Sequence, residues 1–416
     1  MLANCHEVLE TMMSSIDLEF ELTDVEREIQ STVHRFAEDI MRPLGQEIDK
    51  LHDPKDVIAD GSPLWDAFDQ YEALGIEEFQ REDSDLTPLQ QARIQAIICE
   101  EKGWGDAGLG LSLGSRGGGF VAGFAEASGS AELIDRFTKP GNKEIGCWAI
   151  TEPDHGSDTL ALTEPHFKDA NLKANCIAKR DGDDYVIRGQ KSSWVSNGPI
   201  ATVAALYCTI GGDRGFHGGG VAVIPLDFPG VSKGKPLDKI GQRAMCQGEI
   251  FFDEVRIPKQ YMVIDQEGYP DQLYSTLTLM NSFMGVTFCG VARSAFDLAR
   301  AYAHERVQGG KPIIEHQSVK LRLFDMYRKV ETASAYARKV SIFNNTRDDG
   351  QLHYAIASKT YCTRVAFDVA SEAIQIFGGN GLSREYPVEK IMRDARASMI
   401  EDGCNEVLSI VGAADL

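Results

Sequence analysis

The chain is poor in basic residues. Its 416 positions hold 42 Lys and Arg against 63 Asp and Glu, a formal charge of −21. That deficit removes the basic footprint that nucleic-acid binding needs and speaks against an anionic membrane surface. No run of about 18 or more apolar residues occurs, so no membrane-spanning helix is expected. The first twenty residues show neither the basic cluster nor the continuous apolar core of a secretory leader. Nine cysteines are scattered without a C-x-x-C pair, which argues against a zinc site or a disulfide framework and for a reducing cytoplasm. The nine histidines are equally dispersed, so no metal is expected. Internal repeats and low-complexity linkers are also missing.

What is present changes texture twice. Up to about residue 138 the apolar residues recur at helical steps, and "PLWDAFDQYEALGI" and "TPLQQARIQAIICEEKGWG" each start at a proline, which suits a first helical turn. From 146 to about 257, "DDYVIRGQK", "ATVAALYCTI", "GGVAVIPL" and "GEIFFDEVRIP" are β-branched or aromatic runs cut by Gly, Asp and Pro, the pattern of strands. Helical texture returns after Gly268; Val291, Ala295, Leu298 and Tyr302 form one stripe, and further helices are expected near 315–345, 352–376 and 387–397. The expected organisation is α+β: a helical segment (1–145), a β segment (146–263) and a helical segment (264–416).

Four stretches carry candidate chemistry. "AITEPDHGSD" offers backbone N–H groups and hydroxyls around Gly156, suited to a phosphate or a polar ring edge, although surface turns use the same residues. In "GQKSSWVSNG", Trp194 and Ser196 fall on one face of a strand, a plane beside a hydroxyl; a core tryptophan is the plainer reading. "QIFGGNG" ends a helix in glycines that permit close backbone approach, and this stretch fits neither the dinucleotide fingerprint nor the P-loop. In "SMIEDGCNEVL" the acids Glu401 and Asp402 either belong to the start of the next helix or take a proton from a substrate.

Taken in order, "ITEPDHGSD", "GQKSSWVSNG", "EHQSVKLRLFDM", "QIFGGNG" and "EYPVEKIMRDAR" resemble the acyl-CoA dehydrogenase family, over about 20–412. The resemblance implies an N-terminal helical domain, a central β domain and a C-terminal four-helix bundle. It also implies FAD, an acyl-CoA substrate, electron-transferring flavoprotein as acceptor, and a homotetramer built as a dimer of dimers. By the same resemblance Thr151 bonds the flavin ring, Ser157 the FAD pyrophosphate or the substrate, Trp194 covers the flavin and Ser196 lies near its N5. Arg306, Gln317, Gln375, Gly378, Gly379 and Glu406 match further FAD-holding positions, and Asn281 and Gly403 match substrate-binding ones.

This sequence departs from the family pattern at three places. Asn281 stands where an arginine is usual, and "RVQGG" lacks the phenylalanine of the family's R-K-T-F-G turn. Counting without a gap from "MRDAR" puts Glu401 in the place of a tyrosine and Asp402 in that of the glutamate base. An aspartate base resembles the flavoprotein nitroalkane oxidases of this superfamily, which keep an arginine seven residues later, where Ser409 stands here. The leading expectation is FAD-dependent oxidation of an acyl-CoA to its 2-enoyl form by Asp402. A flavin oxidase on the same fold and a non-catalytic subunit are its rivals.

Overall fold

The computed structural model describes residues 22–76, 79, 85–139 and 141–416. Thr23 caps helix α1 (Asp24–Phe36) through a reciprocal box: Glu26 N donates to Thr23 Oγ1 at 3.3 Å and Thr23 N to Glu26 Oε2 at 2.7 Å. A π-turn (Ala37–Met41) leads into α2 (Arg42–Lys50). The two proline-led stretches form α3 (Pro63–Ala73) and α4 (Pro88–Gly105), capped by Ser62 and Thr87. Three short helices follow, α5 (Ala107–Leu113), α6 (Val121–Ala127) and α7 (Ala131–Phe137).

The strand-like region becomes a mixed eight-stranded sheet. Its members are β1 (Gly146–Ala149), β2 (Ile177–Asp181), β3 (Asp184–Ser196), β4 (Val203–Ile210), β5 (Gly219–Pro225), β6 (Val231–Lys233), β7 (Gln247–Pro258) and β8 (Met262–Ile264). The order is β6-β7-β3-β2-β4-β5-β8. Strands β1 and β2 share one edge of β4, both parallel to it: β1 pairs with Val203–Leu206 and β2 with Thr209 and Ile210. The chain between them, 150–176, therefore leaves and re-enters the sheet beside the same strand. The β3–β7 ladder shifts register between Lys191 and Val195, which releases the backbone there for other partners.

Helix α8 (Tyr269–Glu305) comes next, then the hairpin β9 (Val307–Gln308) and β10 (Lys311–Pro312), and helices α9 (Gln317–Asn345), α10 (Leu352–Phe377), α11 (Val388–Ser398) and α12 (Asn405–Ala413). By length and composition α8 could cross a membrane, but 78% of its most apolar window is buried inside the protein. Of the expected stripe Val291 and Ala295 are buried and Leu298 and Tyr302 half-buried, while burial extends to Ala292, Phe296, Ala299 and Ala303. The order of helices, sheet and helices is the α+β arrangement expected from the texture.

The chain divides into two compact units. One takes the described residues of 1–46, 77–110 and 278–401 and is helical; the other takes 47–76, 111–277 and 402–416 and holds the sheet. In the helical unit α4 is buried around its circumference, and it brings two carboxylates inside with it, Glu100 and Glu101. Arg338 of α9 grips Glu100 through Nε and Nη2 at 2.8 and 2.5 Å. Arg293 of α8 spans both acids, 3.2 Å from Glu100 and 2.6 Å from Glu101. His34 Nδ1 lies 2.8 Å from Glu101 Oε2. Buried charges persist only when paired in this way.

Burial alone raises the Glu101 pKa, but the Arg293 charge and the His34 hydrogen bond outweigh it and hold the carboxyl at about 2, against an ordinary 4.5. A folded-state pKa below the unfolded one stabilises above the unfolded value, so this contribution is complete above about 4.5 and is lost as pH falls towards 2. Arg293→Met removes charged hydrogen bonds while Glu100 keeps Arg338 and Glu101 keeps His34. We expect a loss of about 2 kcal/mol at neutral pH. Glu101 should also titrate at higher pH in the variant, moving the acid-unfolding midpoint upward; urea unfolding across pH 2.5–7 checks both.

Candidate cofactor and active site

The turn after β1 is built around a buried acid. Glu152 and His155 exchange backbone hydrogen bonds at 2.8 and 3.2 Å, closing a tight loop. The Glu152 carboxylate points inward and accepts from Lys191 Nζ at 2.7 Å, from Cys176 N at 3.0 Å and from Asn175 N. Lys191 also donates to Ile150 O at 2.9 Å. Where the β3–β7 register slips, Ser192 N donates instead to Thr151 O at 2.9 Å. Thr151 is thus fixed from both sides, by its neighbour's carboxylate and by its own carbonyl. Ser157 opens a 3-10 turn, and its hydroxyl accepts from Cys404 N at 2.9 Å. That bond ties the C-terminal turn to the 151–157 loop.

At the end of β3 the even-numbered Trp194 and Ser196 turn outward, whereas Ser192 is buried. Trp194 is 58% exposed, so the core-tryptophan reading does not hold. Val195 on the other face is buried, and Ser196 is half-buried. Gln247 Nε2 donates to Trp194 O at 3.3 Å and to Ser196 Oγ at 3.1 Å. Lys239 Nζ donates to Gln247 Oε1 at 2.9 Å and to Met245 O at 2.6 Å. The strand ends at Asn197, buried at φ +56°, a left-handed conformation that asparagine tolerates. Its side chain meets Ser112 Oγ, Ser112 O and Ser115 Oγ at 2.9, 3.0 and 2.7 Å. An exposed indole beside a hydroxyl, on a backbone pinned at both ends, fits a planar polar cofactor.

In the C-terminal turn Asp402 and Gly403 both have positive φ, +52° and +97°. A Cβ on Gly403 would stand 2.8 Å from Leu408 Cδ2 and 3.1 Å from Leu160 Cδ1, so only glycine fits that approach. Cys404 occupies the N-cap of α12 without a side-chain capping bond, its N–H being near Ser157 instead. Asp402 and Glu401 are half-buried, and Glu406 is exposed in the first turn of α12.

The remaining candidates lie in the helical unit. Arg306 follows α8 and is exposed, as are Gln317 at the start of α9 and Gln375 in the last turn of α10. Beyond Phe377 the chain turns through Gly378 at φ +60°, and a Cβ on Gly378 or Gly379 would meet nothing within 4 Å. Tyr302, one turn before Arg306, stacks on Phe377 at 4.0 Å and 14°, and Asn380 Nδ2 donates to the Tyr302 hydroxyl at 2.9 Å. The stack knots the ends of α8 and α10, bringing Arg306 and the Gly378–Gly379 turn into one neighbourhood. Asn281 is not part of it: it is fully buried within α8, about 36 Å along the axis from the end of that helix.

Glu152, Lys191, Asn197, Lys239 and Gln247 were not legible as site residues, because buried or half-buried polar side chains on strands and loops leave no spacing signal. Lys191 had one: it shares the inward face of β3 with Ile187 and Val195, where a lysine implies a partner.

Residues 147–255 match the family model "Acyl-CoA dehydrogenase, middle domain", and 272–416 the model "Acyl-CoA dehydrogenase, C-terminal domain". The short-chain specific acyl-CoA dehydrogenase of Megasphaera elsdenii is 30% identical over 410 residues, covering 95% of this chain and 99% of that protein. The cyclohex-1-ene-1-carbonyl-CoA dehydrogenase of Geobacter metallireducens is 31% identical over 320 residues, covering 76% and 80%. Among solved structures, butyryl-CoA dehydrogenase from Megasphaera elsdenii superposes with a TM-score of 0.81 at 26% identity, covering 95% of this chain and 99% of that one. With two family models matched in succession and a relative at 30% identity matched nearly end to end, this chain belongs to the acyl-CoA dehydrogenase family.

Proposed function

We propose that this chain is an FAD-dependent dehydrogenase that converts an acyl-CoA thioester to its 2-enoyl-CoA. The observation that carries the reading is the bond from Cys404 N to Ser157 Oγ, which joins the turn bearing Asp402 to the loop bearing Thr151. Asp402 takes the α-proton of the thioester, and FAD supplies the acceptor for the β-hydride. Trp194 would cover the flavin, Thr151 and Ser196 would bond its ring, and Ser157 would bond the pyrophosphate or the substrate. Gly403 lets the backbone approach the thioester; Asn281, fully buried within α8, is left out of this reading. Glu406 completes the flavin contacts. Arg306, Gln317, Gln375, Gly378 and Gly379 hold the adenosine and pyrophosphate, some of them across a subunit interface of a homotetramer. The electron acceptor would be electron-transferring flavoprotein. The eight described cysteines, all unpaired, support a cytoplasmic setting.

The test is anaerobic mixing of the purified yellow protein with a panel of straight, branched and ring-bearing acyl-CoA thioesters. At least one should bleach the flavin without oxygen consumption in the aerobic control. Bleaching coupled to oxygen uptake makes the protein an oxidase, and bleaching only after a second polypeptide is added makes it a subunit. A protein that neither contains flavin nor gains thermal stability from added FAD would refute the reading.

A further inference from the structure

We propose that Gln247, set in place by Lys239, is a positioning residue that makes the Ser196 hydroxyl a hydrogen-bond donor towards the flavin. The inference rests on the reading of the β3 end as part of the FAD site. Its basis is a chain of groups whose roles fix the Gln247 amide. An ammonium only donates, so the Gln247 atom 2.9 Å from Lys239 Nζ is the amide oxygen. A backbone carbonyl only accepts, so the Gln247 atom 3.3 Å from Trp194 O is the amide nitrogen. Two neighbours of opposite character thus agree on one amide orientation.

With the nitrogen on that side, the 3.1 Å contact from Gln247 Nε2 makes Ser196 Oγ the acceptor. The proton of Ser196 must then point elsewhere, and among the described residues nothing accepts it. The half-buried hydroxyl lies on the same outward face as the exposed Trp194. With one lone pair taken up by Gln247, the O–H is free to donate to whatever packs against that indole. The charge on Lys239 polarises the amide and, through it, the hydroxyl. Gln247 is only 7% exposed, so water does not compete for its amide. An acceptor nitrogen at the edge of a flat ring is the complementary partner.

The decisive variant is Gln247→Glu. It keeps the size of the side chain and the contact to Lys239, but a carboxylate can only accept, so the Ser196 proton turns inward. In apoprotein titrated with oxidised FAD we expect the Kd to rise about tenfold, the scale of one hydrogen bond, with a shifted flavin absorption band. Ser196→Ala should weaken binding similarly, and in that background Gln247→Glu should add less than about twofold. Equal losses in both backgrounds, or no loss in either, would overturn the proposal, because Gln247 would then act without the hydroxyl. If Gln247→Glu does not fold, Lys239→Met tests the same chain from its far end. It frees the amide to rotate and should loosen FAD only when Ser196 is present; loosening that persists in Ser196→Ala overturns the proposal. A wild-type protein that takes up no FAD would fail differently, overturning the flavin-site reading itself.

Discussion

Asp402→Asn is expected to leave FAD and acyl-CoA binding in place and to slow flavin reduction at least about a hundredfold, the lower end of what losing a general base costs. The choice of asparagine follows from the backbone. Asp402 is held at φ +52°, and asparagine enters that left-handed region as readily as aspartate, whereas most residues are strained there. The substitution therefore deletes the base with little disturbance of the turn. A non-glycine residue in this region next to a glycine whose Cβ would strike Leu160 and Leu408 is the kind of strain that persists where a turn is fixed for a purpose. The fixing is visible: Ser157 accepts the Cys404 N–H at 2.9 Å. Aspartate is one methylene shorter than glutamate, so a substrate must bring its α-carbon about one bond length nearer to stay within the roughly 2.6–3.2 Å that proton transfer needs. Glu401→Gln should slow reduction far less. Stopped-flow absorbance with a bleaching thioester reads both. If the two variants exchange behaviour, the acid next door is the base; if neither slows the reaction, the proton is taken elsewhere.

Much of the architecture could be read before the structure because each element announces itself locally. Proline at the first turn behind Ser62 and Thr87 marked α3 and α4, and the helices expected near 315–345, 352–376 and 387–397 are α9, α10 and α11 within a few residues. Trp194 and Ser196 were placed on one strand face by period two alone, and both were found towards the outward side. What stayed hidden is what long-range packing decides. Nothing near Gln247 in sequence says that it reaches Ser196, 51 positions away. The departure of β3 from β7 between Lys191 and Val195, which lets Ser192 bond Thr151, depends on the register of two strands and not on either one. The division into two units was also out of reach, since each is assembled from three separate stretches of chain.

Lys191→Met is expected to cost about 3–5 kcal/mol of stability, the usual penalty for leaving one partner of a buried ion pair alone. Neither Lys191 nor Glu152 has any exposed side-chain surface, so water cannot replace the lost partner. In the variant the Glu152 carboxylate keeps the N–H groups of Asn175 and Cys176, but Ile150 O loses its donor along with the charge. Glu152→Gln attacks the pair from the other side and leaves a buried ammonium facing a neutral amide. The double variant should lose less than the sum of the two, by at least about 1 kcal/mol, because removing both charges also removes the cost of burying either. Urea unfolding with an unchanged m-value would attribute the loss to the native contacts and not to the denatured chain. The same cluster holds Thr151 against β3, so FAD should bind more weakly in each single variant. A cost below about 1 kcal/mol for Lys191→Met would mean that backbone N–H groups alone hold the Glu152 charge. The 151–157 loop would then owe its place to the Ser192–Thr151 and Cys404–Ser157 bonds.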